Sequence, residues 1–430
     1  MFLGESQPDA PEHSGAIIVK VRRSVSDPEG TLGAISGCPV EPLIASMTTD
    51  ELRALEDATD DPNDESLVPY WRVDAREIED SGWEEMRARL EADPSVESAY
   101  LEASATDPME PYEPLQSYLK AASEGVDANY GWTQYGAANW GLGFIDLEQG
   151  WYFEHEDMPA QKPLPHVPGD VNTSGLHRDH GTAVTTIVMA PRNGKGIAGV
   201  TSGHSPKGSN IFTAASHYRE KTNSSGHVAS AIMGVVRAKQ QGHIKDGSVL
   251  LLEVQRHNVA TETDHADYLA ITKAVRKGLV VVEAAGNGNK DLDGILRGDS
   301  GAIIVGASRW NESTGQHERW VPVAGKVGSC FGKRVDAFGI GSGAVAGGFG
   351  SLSQGNGPND RYTKTFGGTS AAAAIVAGAA VLIQNLRQSK GKSPLRPDAL
   401  RKLLRSYGTP SVGADWIGRM PDMKQIVPHL

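Results

Sequence analysis

Phe366-Gly-Gly-Thr-Ser-Ala-Ala-Ala-Ala-Ile-Val-Ala-Gly-Ala-Ala-Val-Leu-Ile-Gln384 is the stretch on which the reading turns. From Ala371 onward small apolar residues run almost without a break, which predicts a long helix able to lie close against neighbouring backbone, with Ser370 in its first turn. The first turn of a helix presents N–H groups without partners and a partial positive charge, and both favour an oxyanion developing beside the serine hydroxyl. Serine at such a place also serves as an ordinary N-cap. The segment therefore needs other residues before it argues for chemistry.

Three upstream segments supply them. His180 opens His-Gly-Thr-Ala-Val-Thr-Thr-Ile-Val-Met-Ala, a predicted helix whose Val184, Ile187 and Val188 face inward and leave the imidazole outward. Asp146 follows Trp-Gly-Leu-Gly-Phe-Ile and so ends an apolar strand, where a carboxylate persists only with partners. A histidine Nδ1–H is such a partner, and the pairing would fix the tautomer a base needs. Asn287 closes Leu-Val-Val-Val-Glu-Ala-Ala-Gly-Asn and brings an amide to the same edge. An orienting acid, a base, an oxyanion donor and a nucleophile thus follow one another along the chain.

The surrounding pattern alternates apolar strands, at 142–145, 210–213, 249–254, 279–283 and 302–306, with helices such as 228–241 and 265–277. That alternation is the mark of an α/β fold with a parallel sheet covered on both faces. Ligands in such folds sit beyond the carboxyl ends of the strands, where Asp146 and Asn287 fall. Residues 103–114 carry three prolines in a short span and mark a seam, giving domains 1–107 and 108–430. The first reads as a small α+β unit, with strands at 15–22, 68–74 and 96–101, a helix at 83–90 and a charged turn-rich loop at 57–65. The glycine-rich run 339–357 reads as a long surface loop.

Composition narrows the function classes. There are 41 basic against 53 acidic residues, a formal net charge of −12, and no basic run that could track a phosphate backbone, so no nucleic-acid partner is expected. Cys38 and Cys330 are the two cysteines in the sequence, which excludes a disulfide framework and a cysteine-rich zinc site; both are expected as small buried hydrophobes. No cofactor is required by the pattern. Asp291 and Asp293 offer oxygen ligands to calcium, but two aspartates in a polar loop are more often solvated or capping. His155, His166, His177 and Asp179 cluster near His180, a grouping more often chance than a metal site. The amino terminus lacks the basic start and apolar run of a secretory signal, and no apolar run long enough to span a bilayer is expected. The chain is therefore expected to be soluble, and cytoplasmic or exported by a route without a signal peptide.

The four motifs together resemble the subtilases, the subtilisin-like serine peptidases, from about Gln116 to the carboxyl terminus. Asp before His before Ser is the subtilisin chain order, and the spacings of 34 residues from Asp146 to His180 and 190 from His180 to Ser370 are compatible with it. The resemblance implies a three-layer sandwich with a mostly parallel sheet, a triad of Asp146, His180 and Ser370, and Asn287 as oxyanion donor. It also implies a polypeptide substrate bound as an extended strand along a groove, near Glu253, Gln255 and Gly286. The amino-terminal domain is similar in element order to the propeptides that inhibit subtilases, which implies an intramolecular inhibitor; a regulatory or partner-binding domain is the alternative.

The departures are specific. The acid motif is Asp-Leu-Glu-Gln-Gly-Trp where the family has Asp-Thr-Gly or Asp-Ser-Gly, and Ala374 stands where proline is usual. The groove-lining Ser-Leu-Gly is replaced by Leu251-Leu252-Glu253-Val254-Gln255. Glu148, Glu253 and Glu283 are expected near one another at the sheet edge, where acidity facing the groove would favour basic or polar substrate side chains; structural bracing is the alternative. The expected activity is that of a serine endopeptidase working through an acyl-enzyme. A catalytically silent binding protein on this fold, or an esterase or amidase of small molecules, are the other readings.

Overall fold

The computed structural model describes residues 13–57, 65–78, 82–103, 110–135, 141–159, 170–202, 211–323 and 325–430. Most of the loop at 57–65, part of the proline-rich seam and His166 lie outside these residues. Contacts divide the chain into two compact units, 1–108 and 109–430.

In the first unit β1 (His13–Val21), α1 (Pro28–Ser36), β2 (Val40–Pro42), α2 (Thr49–Glu56), β3 (Tyr70–Asp74), α3 (Trp83–Glu91) and β4 (Val96–Ala103) follow in order. The strands form an antiparallel sheet ordered β2-β3-β1-β4. Alternate residues Ile17, Val19 and Val21 of β1 meet Leu32 of α1 and Trp83, Met86 and Leu90 of α3 in one core, as a period of two requires of a half-covered sheet. Helices α1 and α2 went unpredicted.

The second unit runs α4 (Ala128–Thr133), β5 (Gly143–Glu148), α5 (Gly175–Met189), β6 (Ile211–Ser216), α6 (Val228–Gln240), β7 (Val249–Leu252), β8 (Gln255–Arg256), β9 (Val259–Ala260), α7 (His265–Arg276), β10 (Val280–Ala284), β11 (Ile303–Asn311), β12 (Gln316–Arg319), β13 (Ala337–Ile340), β14 (Ala344–Gly347), β15 (Tyr362–Phe366), α8 (Gly368–Ser389), α9 (Pro397–Ser406), β16 (Thr409–Pro410), β17 (Arg419–Met420) and α10 (Met423–Ile426). The central sheet is ordered β16-β17-β13-β11-β10-β7-β5-β6, with β12 on β11. All neighbours from β17 to β6 are parallel. Helices cover both faces, the α/β sandwich expected from the sequence. Phe144, Leu251, Val280 and Val282 face α8, while Ile145, Leu147, Leu250, Leu252 and Val281 face α6 and α7.

Two expectations are corrected here. By length and composition α8 is apolar enough to cross a bilayer, contrary to the sequence reading, but it is buried throughout its apolar stretch and serves as the central core helix. The run 339–357 is not a surface loop: it contains the buried strand β14, paired with β15 and packed on α5. Its glycines let the backbone come close to its neighbours, since a Cβ on Gly347 would stand 3.0 Å from the His155 ring and 3.1 Å from the Thr186 methyl. Cys330 is buried, Cys38 is half-buried, and both are free thiols.

Candidate active site

Strand β5 is apolar up to Ile145 and then carries two acids on one face. Asp146 and Glu148 are two residues apart, so both point toward α5 and α8. The sequence assigned His180 to Asp146, but the structure gives it to Glu148: His180 Nδ1 donates to Glu148 Oε1 at 2.5 Å. Asp146 is committed elsewhere. Its Oδ2 accepts from Trp151 Nε1 at 2.8 Å and from Thr185 Oγ1 at 2.9 Å, while Oδ1 is buried without a hydrogen bond among the described residues. Burial, then the neighbouring Glu148 charge, push the Asp146 carboxyl well above the usual range against the pull of Trp151 and Thr185.

The longer Glu148 side chain, one strand period nearer the sheet's carboxyl edge, is what reaches the imidazole. The approach of β5 to α5 depends on Gly181. A Cβ there would lie 2.3 Å from the Gly150 carbonyl oxygen and 2.9 Å from the Trp151 indole, closer than any real contact allows. Burial alone would lower the basicity of His180, but the charge and hydrogen bond of Glu148, helped by the charge of Asp146, raise it overall. Because Nδ1–H is held by the carboxylate, Nε2 is the free basic atom. Phe366, four residues before Ser370, packs edge-on against the ring at 5.4 Å between centroids.

Ser370 is the third residue of α8. The N-cap is Gly367, which makes no side-chain cap bond, so the serine hydroxyl is not spent on capping, and its N–H is among the unpaired donors of the first turn. Asn287 follows β10 and is held by the same turn: its Oδ1 accepts from Thr369 N at 2.9 Å and Thr369 Oγ1 at 3.0 Å. With Oδ1 pinned, Nδ2 is the amide atom left to donate. Gly368, at φ 74°, has no room for a side chain, since a Cβ would lie 3.0 Å from Asn287 Oδ1 and 3.1 Å from Nδ2.

Residues 145–409 match the model of the peptidase S8, or subtilase, family. The chain belongs to the subtilase family. It is a serine-type peptidase, a hydrolase. Among solved structures, proteases from Pseudoalteromonas arctica share its fold at TM-score 0.53 and 20% identity over 75% of this chain and 99% of theirs. A cold-adapted subtilisin-like serine proteinase aligns at TM-score 0.44 and 22% identity over 66% and 88% of the two chains. The prenylagaramide maturation protease PagA aligns at TM-score 0.49 and 17% identity over 71% and 98%. A search of curated proteins returned no match.

In this subtilase the residues expected to touch substrate are placed differently. Glu253 is buried, with neither oxygen exposed, and sits behind Ser370. It is not on an open groove. Gln255 Oε1 accepts the backbone N–H of Asn287 at 2.8 Å, and Gly286 donates its N–H to Thr369 Oγ1 at 3.2 Å; both brace the loop carrying the amide. The tip of the β8–β9 hairpin presses on that loop, because a Cβ on Gly286 would meet the Asn258 carbonyl oxygen at 2.5 Å.

Glu283 is not near Glu148 or Glu253. Its neighbour Val282 faces α8, so Glu283 points to the opposite face, where its Oε1 accepts from Glu262 N at 2.7 Å. There Arg334 lies 3.3 Å from Glu262, 3.3 Å from Asp299 and 2.8 Å from Asp336. Glu283 therefore does not join Glu148 and Glu253 in one acidic cluster at the sheet edge.

Among the described residues no group of three or more His, Cys, Asp or Glu is placed to hold a metal ion. His155 is buried and accepts the Asp157 N–H at Nδ1, which leaves Nε2–H to donate to the Arg361 carbonyl. Asp179 Oδ1 takes Arg361 at 2.6 Å. Asp291 Oδ1 accepts Asp293 N, and Asp293 Oδ1 accepts Arg334 N, each at 3.0 Å, so the first aspartate braces its own turn and the second ties that turn to the segment carrying Arg334.

Proposed function

We propose that this subtilase is an endopeptidase with a Ser370, His180, Glu148 triad in which glutamate stands where aspartate was expected. The observation that carries the reading is the 2.5 Å contact between Glu148 and His180 Nδ1. Ser370 Oγ attacks the scissile carbonyl carbon while its proton passes to His180 Nε2; Glu148 holds the ring in the required tautomer and balances the imidazolium that forms. The oxyanion is received by Asn287 Nδ2 and the Ser370 N–H. The amine leaves with the proton held by His180, and water, activated by the same histidine, releases the acyl group. Asp146 supports the site from behind by fixing Trp151 and Thr185.

The amino-terminal unit, with its antiparallel sheet covered by α1 and α3, is proposed as an intramolecular inhibitor that the enzyme removes. The test is incubation of full-length wild type and Ser370→Ala with casein and with a p-nitrophenyl ester, followed by intact mass. The reading expects casein cleavage by the wild type alone, with loss of a fragment near the size of the first unit, 108 residues. Ester cleavage without casein cleavage would instead favour a small-molecule hydrolase, and casein cleavage by Ser370→Ala would exclude Ser370 as nucleophile.

A further inference from the structure

The buried site contains one acid more than the mechanism uses. Parallel pairing of β5 with β7 sets Asp146 opposite Leu251 and Leu147 opposite Leu252. Leu147 and Leu252 both face α6 and α7, so Glu148, the last residue of β5, and Glu253, the residue just past β7, turn to the other face, toward α8 and Ser370. Glu253 is 5% exposed, and neither of its oxygens forms a hydrogen bond to a described residue, although the Ser370 hydroxyl is near enough to influence its carboxyl.

Three carboxyls therefore share one pocket with one histidine. Facing Glu253 are Asp146 and Glu148 from β5, His180 from α5 and the hydroxyl of Ser370 from α8. From the strands on either side, His217 stands beside Glu148 with its Nδ1 on the Ser225 carbonyl, and burial lowers its basicity; Glu283 is on the far face and Arg256 is engaged with Asp267. A buried carboxylate without a cation is costly, and closely set like charges do not ionise together. The imidazole can offset one carboxylate when it takes the serine proton, and Glu148 is the acid that holds it. Burial first, then the charges of Glu148 and Asp146, push the Glu253 carboxyl well above its usual range, with Ser370 pulling weakly the other way.

We propose that Glu253 is a positioning residue for the nucleophile, a neutral carboxylic acid behind Ser370 whose O–H donates to the serine oxygen and so leaves the serine proton free for His180. It also keeps the site at a single negative charge. This rests on the reading of Ser370, His180 and Glu148 above. When Glu253 ionises at high pH, a second negative charge appears beside the forming oxyanion and the hydrogen-bond donor is lost, so the rate falls.

The experiment measures the second-order rate of fluorophosphonate labelling of the full chain from about pH 6 to about pH 10, for wild type, Glu253→Gln and Glu253→Leu, with Ser370→Ala and Glu148→Gln as controls. Gln has the same shape, keeps a donor and cannot ionise. The proposal expects Glu253→Gln to label within about threefold of wild type near neutrality and to lack the alkaline fall, and Glu253→Leu to label roughly three to ten times more slowly, the worth of one neutral hydrogen bond. Infrared difference spectra of wild type against Glu253→Gln, which is isosteric and expected to fold, should show the C=O stretch of a protonated carboxyl in the wild type alone. An unchanged alkaline limb in Glu253→Gln, or no protonated-carboxyl band at neutral pH, overturns the proposal. Labelling of Ser370→Ala, or full-rate labelling of Glu148→Gln, would instead overturn the underlying triad.

Discussion

Replacing Glu148 by Gln and Asp146 by Asn, one at a time, separates two carboxyls that stand two residues apart on the same face. Glu148→Gln removes the charge 2.5 Å from His180 Nδ1 and offers the ring an amide that fits either tautomer. Breaking a buried ion pair costs about 3–5 kcal/mol, and at about 1.4 kcal/mol per tenfold this is roughly two to four powers of ten in the acylation rate. The upper end is expected, because loss of tautomer control alone is worth about 10⁴ in a serine peptidase triad. Since Glu148 raises the basicity of His180 against burial, the acid limb of the rate should also move to lower pH. Asp146→Asn keeps an oxygen for Trp151 and Thr185 and substitutes a neutral group for an acid already pushed toward neutrality; its rate should fall by no more than about tenfold, the worth of a weakened hydrogen bond. The assay is stopped-flow acylation by a peptide ester, with circular dichroism as the check on folding. A folded Asp146→Asn as slow as Glu148→Gln, or a Glu148→Gln as fast as wild type, would refute the assignment.

Further outcomes follow from the same geometry. Asn287→Ala should lower turnover by about 10²–10³ and, because the buried Thr369 N–H and hydroxyl lose their shared acceptor, should also lower Tm; Thr369→Val, which removes one of the two donors to the amide oxygen, should lower turnover less, and steady-state kinetics decides. Gly181→Ala should destabilise the second unit by about 1–3 kcal/mol, because the new Cβ would press on the Gly150 carbonyl and the Trp151 indole, and calorimetry would show no loss if that packing were slack. Arg334→Met leaves the buried Glu262 without its ion-pair partner, while Asp336 keeps Arg401 and Arg405, and should cost about 3–5 kcal/mol in urea melts. Asp157 is buried and its carboxyl is pushed up to about 7, chiefly by burial. A raised acid binds its proton more tightly in the folded state, so its contribution to stability is full at low pH and is lost as pH rises from about 4 to about 7, by up to about 4 kcal/mol. Asp157→Asn should remove that part of the slope in Tm against pH, and an unchanged slope would place the titration elsewhere.

Much of the architecture was legible because the second unit obeys simple periodicities. The apolar runs at 249–254 and 279–283 became β7 and β10, and the spacing in 228–241 became α6, each within two residues of the reading. What was missed was locally encoded but quiet. Asp27-Pro28 with Gly37 brackets α1, where Asp27 Oδ1 accepts Gly30 N at 3.0 Å, and Thr48 with Glu51 forms the capping box of α2. Glycine density in 339–357 suggests a loop, whereas Gly347 and Gly348 allow close packing against His155 and Asp179.

At the site, the four motif residues could be picked out by type and order, but their pairing could not. Asp146 and Glu148 share a face, and only the three-dimensional path of α5 decides which reaches the imidazole. The signal was present in Asp-Leu-Glu-Gln-Gly-Trp: a glutamate in the place of glycine supplies a second acid, and the tryptophan supplies the donor that occupies the first. The family resemblance puts Glu253 on the groove because the matching segment lines it there; its burial behind Ser370 depends on the face it takes just past β7, and that register is a tertiary fact.

The most direct test of the central claim is to label folded wild type, Glu148→Gln and Ser370→Ala with a fluorophosphonate and map the adduct by peptide mass. The account predicts a single adduct on Ser370 in the wild type, the same adduct formed about 10³–10⁴ times more slowly in Glu148→Gln, and none in Ser370→Ala. An adduct at another residue, or a Glu148→Gln that labels as fast as the wild type, would contradict it.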